Sequence, residues 1–529
     1  SIAGTGSLNK DGEGALNLKL ENSYTGASVI HDGVVNFQSI ADGGKPSALG
    51  ASIEYAQNWI WDGGKWNYTG STASTNRCAT LYKETALGVD NSAAILNLNG
   101  AFKGAGNFVV DGNGIVRPGS AKFFSYTGNT IVKSGTLQLE YIKNMTAKSR
   151  VYLGEEGNTS PKLVMAGGNF VTKSSNDQYL NYEFPIEVLE NTYSTFTIQR
   201  NCSLKCKVTG SGTLEYKIPF VREYVSGDWS GFYGTLVANG VNSDKDGSQL
   251  MLYNSGIPNA SINLKGNARV THWNPNVTIK LGGLSGDKGT YLGGTTKKTT
   301  GQTVTWQVGN ANTNETFNGV IDRRCSASGY NCNVNIVKEG SGYWRLTGSN
   351  TYNGTTIVTG GRLIIDGSNQ GTGLMTIKEN GSLSGKGTIA GNVVVSGSVQ
   401  ADLSASGSCQ PLTIKGKLTA NNATLVINME DVTGTIADDT EIKVFNLASA
   451  IQGTGFTDIL PATPSATQLW DTSLLATKGI IKVVSNVANG ISTPSANNTS
   501  SSAIYDLTGK KTSSPKGLYI KDGKKHIAR

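Results

Sequence analysis

The chain has 529 residues, 68 of them Gly and only 12 Pro, with 37% hydrophobic and 16% charged residues. That length allows several domains, but Gly and Pro together stay below the share of a disordered low-complexity chain, and apolar runs recur throughout. The net charge of +8 is spread along the chain with no clustered basic motif, which argues against nucleic-acid binding, and no apolar run is long enough for a membrane-spanning helix.

The chain enters the repeat-like GTGSLNKDGEGALNL three residues after Ser1, which reads either as a processed start or as the edge of something longer. In a first unit, about 1–95, Ser23-Tyr24-Thr25-Gly26 leads into ASVIHDGVVNF, two apolar runs punctuated by a turn. A polar loop, ADGGKPSALGAS, precedes AQNWIWDGGKWNYTG. There Trp59 and Trp61 lie two apart, as do Trp66 and Tyr68, so each pair shares one face of a strand. Two readings stand: an aromatic platform for sugar rings, with these four as glycan-contact candidates, or rung interiors, the commoner place for aromatics in strands.

The second unit, about 96–200, holds AAILNLNGAF and GNFVVDGNG, then Ser125-Tyr126-Thr127-Gly128 leading into NTIVKSGTLQL. SRVYLGEEGNTS and KSSNDQYLNYE read as loops or protrusions, where anything beyond scaffold is expected. In the third, about 201–320, Gly231-Phe232-Tyr233-Gly234 is a degenerate copy that sets Tyr233 level with Tyr24 and Tyr126. Asn242 to Gly247 match the opening of a calcium loop, making Asp244 and Asp246 ligand candidates. The twelfth position of that loop needs a bidentate Glu and holds Tyr253, which favours a plain solvent-facing turn.

The fourth unit, about 321–484, opens on Asp322-Arg323-Arg324, read as surface charges beside a loop closed by Cys325 and Cys332. Its centre, Val337 to Asp366 (VKEGSGYWRLTGSNTYNGTTIVTGGRLIID), is the fullest copy: three short β segments, each ended by glycines, with Tyr352 in the aromatic position. Nothing in it repeats at helical spacing. Four drifting copies of a turn-strand-turn-strand unit predict a repeat architecture. The Cys pairs in CSLKC (Cys202, Cys206) and CSASGYNC (Cys325, Cys332) are close enough to close small disulfide loops in an oxidising exterior, with Cys78 and Cys409 unassigned. Residues 485–502 form a Ser/Asn linker, and 503–529 read as short strands around an Asp522-Gly523 hairpin turn.

The repeat pattern in 340–365 resembles that of bacterial autotransporter passengers, roughly G-x-G-x-L-x-L-x-G-x-N-x-Y-x-G-x-T-x-V-x-x-G-x-L, with partial matches at 24 and 126. The resemblance implies an all-β fold, a right-handed parallel β-helix over 1–484. The order of motifs from 385 to 483, ending in WDTSLLATKGIIKV, looks like the closing part of such passengers, where a cap must cover the last rung. The tail resembles the type A C-terminal sorting domain of the type IX secretion system through Tyr505-Asp506-Leu507, Gly509, Gly517 and Tyr519. That implies export from a Gram-negative bacterium to the outer-membrane surface or beyond, with the type IX machinery as partner.

No P-loop, H-E-x-x-H, G-x-S-x-G or nucleophile–base set is present, and no cofactor is implied. β-Helical polysaccharide lyases pair an Arg or Lys base with calcium held by carboxylates. Arg323 and Arg324 invite that comparison, but the surrounding sequence lacks the carboxylate cluster. The leading expectation is a non-enzymatic surface β-helix serving as adhesive stalk, spacer or structural component, with a surface glycan or protein as ligand. The alternative is a glycan-active β-helix, or the non-catalytic tail of one.

Overall fold

The computed structural model describes residues 1–140, 150–153, 161–172, 180–198, 203–243, 247–253, 256–295, 301–324 and 332–486, and strand segments 504–505, 511–512, 517–521 and 524–528 of the tail. The chain is an all-β, right-handed parallel β-helix of about 17 coils, with a small antiparallel sheet at its C-terminus. One coil comprises Thr356–Val358, Gly361–Ile365 and Ser368–Asn369. It stacks in parallel on Asn333–Lys338, Tyr343–Leu346 and Ser349–Asn350, and carries Met375–Ile377, Gly381–Ser384 and Thr388–Ile389 on its other edge. Strands this short hold only because neighbours bond both of their edges.

Alternation of side chains decides what lies inside. Trp59–Trp61, Thr130–Val132 and Met375–Ile377 each bury their first and third residues and turn the second outward. The interior is aromatic near the N-terminus, where Trp59, Trp61, Trp66, Phe102, Phe108 and Phe123 interlock. Toward the C-terminus it becomes aliphatic, with Val358, Ile377, Val395 and Ala420 buried in successive coils. Outward positions stack as well: Asn36 donates to Asn17 (2.8 Å) and Asn67 to Asn36 (2.9 Å), an amide ladder along one face.

The repeat motif is a packing device shared between consecutive coils. Tyr24, Tyr126 and Tyr352 point inward, and each hydroxyl bonds the Ser or Thr four residues on: Ser28 (2.6 Å), Thr130 (2.6 Å) and Thr356 (2.7 Å). A buried phenol needs that partner. The last glycine of the motif, Gly33, Gly135 or Gly361, has a positive φ (70°, 64° and 60°). It sits over the carbonyls of the preceding coil's G-x-G, and a Cβ on Gly361 would run into the oxygens of Gly340 and Gly342.

In two copies a lysine completes this corner. Lys10 donates to the carbonyls of Asp11, Gly12 and Asp32; Lys338 donates to those of Glu339, Gly340 and Gly360. Burial pushes the Lys338 ammonium down to about 8. An unfolded lysine keeps its proton to about pH 10.4. From pH 8 up to the unfolded value the denatured chain holds a proton the native chain has released, so stability rises with pH across that window. Chemical denaturation at pH 7.5 and pH 10 should show this gain in the native sequence and its absence in Lys338→Met.

The degenerate copy differs from its reading in sequence. Phe232 (0% exposed), not Tyr233 (66% exposed), takes the inward place of Tyr24, Tyr126 and Tyr352. Phe232 has no hydroxyl to satisfy, and the residue four on is the buried Leu236 instead of Ser or Thr. Tyr233 therefore stands outside, where the other copies have Thr25, Thr127 and Asn353.

Motif copies recur without breaking the stack: strand Ile95–Leu98 spans the step from the first unit to the second, and Val320–Ile321 that from the third to the fourth. The excursion 38–58 is clamped by the buried Arg77, which donates to Ala41 O (3.1 Å), Ser52 Oγ (2.9 Å) and Gly50 O (2.8 Å). At the C-terminal end Glu441–Lys443, Ile480–Ser485 and Gln468–Asp471 pair antiparallel across the stack, with the short helix Leu475–Lys478 beside them. That antiparallel patch includes most of WDTSLLATKGIIKV and buries Ile442, Leu475, Ile481 and Val483 against the core. In the tail, Ile504–Tyr505 pairs antiparallel with Lys511–Thr512 and with Gly517–Lys521, which pairs with Lys524–Ala528.

Candidate functional site

The aromatic platform fails on burial. Trp59, Trp61, Trp66 and Tyr68 are at most 2% exposed, with their rings inside the prism where no sugar reaches them. Period-two alternation placed each pair on one face, and that face is the interior.

Asp244 and Asp246 lie outside the described residues; among those described, no group of three or more His, Cys, Asp or Glu is placed to hold a metal ion. Neither expected disulfide is found among the described residues. Cys202 and Cys325 lie outside them. Cys206 is a buried free thiol against the Tyr182 carbonyl (3.1 Å), and burial pushes it well above the usual thiol range. The Sγ of Cys332 is also buried and accepts from Thr295 N (3.4 Å). In the tail motif, Tyr505, Gly517 and Tyr519 lie in paired strands, while Asp506, Leu507 and Gly509 lie outside the described residues.

The charges at 322–324 are not all at the surface. Asp322 is 2% exposed and accepts from Arg269 Nη1 at 2.8 Å, from Arg324 Nε at 3.1 Å and from Arg324 N at 3.1 Å. Arg269 lies over the Tyr291 ring, 4.2 Å from its centre. Arg269 comes from a coil 53 residues earlier, so spacing along the chain gave no sign of the pair. Both arginines share the one buried carboxylate, an arrangement that fits a structural joint between coils.

A charged groove lies under the excursion after strand Ser398–Asp402. It encloses about 420 Å³ and gathers Arg345, Lys386, Asp366, Asp402 and Asp431. Arg345 pairs with Asp366, which also accepts from Lys386 N (3.3 Å). Asp402 Oδ1 accepts from Gln400 (2.6 Å) and Asn428 (3.0 Å). Asp402 and Asp431 face solvent and Asp366 is paired, so none occupies the dry, unpaired setting of a catalytic acid. The residues combine across five successive coils, so no single stretch of the sequence carried the groove.

The passenger-associated-transport-repeat family matches this chain over residues 8–36, 121–139 and 336–365. These are the stretches in which the inward tyrosine, its hydroxyl partner and the positive-φ glycine recur. The fold is a passenger-like β-helix. A 127-residue stretch is 37% identical to the adhesin BmaC autotransporter of Brucella suis biovar 1 (strain 1330), covering 24% of this chain and 4% of that protein. A 109-residue stretch is 37% identical to the uncharacterized protein YuaQ of Escherichia coli (strain K12), covering 20% of this chain and 7% of that protein. The similarity thus spans a small part of each relative.

Proposed function

We propose that this passenger-like β-helix is exported to the surface of a Gram-negative cell and serves there as a non-enzymatic adhesive stalk. The observation that carries the reading is the passenger repeat set within an unbroken parallel stack. About 17 coils at the ~4.8 Å strand spacing make a rod of roughly 80 Å. Such a rod is held by contacts between neighbouring coils, so loops can vary without cost to the shaft. An adhesin among its relatives supports the role. The purified chain coated on beads should make them adhere to surfaces or cells that leave uncoated beads unbound; no gain in adhesion refutes the stalk as an adhesive.

The tail 503–529 is the proposed address for the type IX machinery, supported by the order of its motif and by its antiparallel strand pairing. Deleting it in the producing cell should abolish export and leave thermal unfolding of the helix unchanged. Export that persists without residues 503–529 refutes the address.

One observation favours a glycan-active alternative: the groove that collects Asp366, Asp402 and Asp431 with Arg345 and Lys386. Release of unsaturated uronates from acidic polysaccharides, lost in Asp402→Asn, would establish it.

A further inference from the structure

The displaced Tyr233 borders a second groove, of about 450 Å³, whose lining differs in kind from the charged one. Ser211, Thr235, Asn259, Asn310 and Thr313 line it with the tyrosine, and no lining residue carries a charge. Its origin lies in the coil between. Gly256–Gly266 and Val277–Gly286 run through the corner as continuous strands, and Gly282-Gly283 crosses it with no side chain. A Cβ on Gly283 would meet oxygens of Glu315, Ser261 and Thr313, each at 2.8 Å. Into that space the next corner leans down: Asn310 Nδ2 donates to Pro258 O (3.1 Å) and Asn259 Oδ1 (2.9 Å). Ser261 and Thr313 both donate to Glu315 (2.6 and 2.9 Å), which occupies that carboxylate.

We infer that this groove is a binding site for an uncharged saccharide. The inference deepens the adhesive reading and rests on it. A tyrosine 66% exposed offers a flat apolar face at the rim. The C–H face of a pyranose can lie against such a ring, while hydroxyls and amides beside it fix the ring's own hydroxyls. The Asn310 amide is already oriented by two hydrogen bonds, and Ser211 and Thr235 make no side-chain hydrogen bond among the described residues, so both hydroxyls are open to a ligand. The absence of a lining charge selects against uronates and sialylated chains, whose carboxylates would lose water and gain no cation.

The test uses the full chain on immobilised neutral oligosaccharides built from glucose, galactose or mannose, with polyuronate and sialylated glycans alongside. Expected are retention on at least one neutral glycan, at least a tenfold loss in Tyr233→Ala, and a change within about twofold in Tyr233→Phe, which keeps the stacking face. Tyr55→Ala, at an exposed tyrosine in the 38–58 excursion, should bind as the native chain does. No neutral glycan retained, equal retention by Tyr233→Ala, or retention confined to charged glycans overturns the inference. Adhesion of coated beads, read in parallel, separates the two failures: adhesion that Tyr233→Ala leaves intact removes this site but keeps the stalk, whereas glycan retention without adhesion keeps the site and removes the stalk.

Discussion

Trp61→Ala should lower the stability of the N-terminal coils by about 3–5 kcal/mol, the range for truncating a large buried aromatic. Trp61 is fully buried and touches rings on three sides, with Trp59, Phe102 and Phe108 centred 5.2, 5.1 and 5.7 Å away. The hole left has little to close it, because each neighbour is fixed to its own coil by backbone ladders. Trp61→Phe should lose much less. The indole Nε1 finds no hydrogen-bond partner among the described residues, so the phenyl ring also removes a buried donor that contributes nothing. In a solenoid, stability is a sum of nearest-neighbour terms. Hydrogen exchange in Trp61→Ala should therefore quicken around residues 28–126 and stay unchanged around 336–428. A uniform increase along the chain would contradict the nearest-neighbour picture.

Removing Asp322 should cost a similar amount at the start of the fourth unit. Asp322→Ala strands the buried guanidinium of Arg269, for which this carboxylate at 2.8 Å is the counter-charge. Breaking a buried pair from one side typically costs about 3–5 kcal/mol, since the remaining charge stays out of water. The paired replacement Arg269→Met with Asp322→Leu should recover most of that loss, because an apolar pair of similar volume carries no desolvation cost. A double-mutant cycle on denaturant midpoints measures the coupling. Additive losses would mean that the two side chains act separately, against the geometry.

These two sites show opposite degrees of legibility. Trp59, Trp61, Trp66 and Tyr68 were recognisable as strand residues sharing faces, since a strand sends every second side chain the same way. Which face was inside followed from the stack. The Arg269–Asp322 pair had no local signature, because two residues 53 apart meet only when intervening coils are counted and placed. Tyr233 lies between these cases: its motif was readable, but a one-residue shift in register exchanges inside for outside. Only the packing of Phe232 against its neighbours resolves which ring is buried.

By itself the sequence determined the coil. Glycine spacing, alternation of apolar residues and the recurring aromatic are local patterns, and they specify short strands, tight corners and a repeat that must stack. Tertiary structure decided the surface. Both grooves arise where side chains from several successive coils converge, one under the excursion past Asp402 and one above the bare Gly282-Gly283 corner. The physical reason is that backbone ladders join residues about one coil apart, so neighbours in space are distant in sequence, and a site written across coils becomes visible only once the register between them is set.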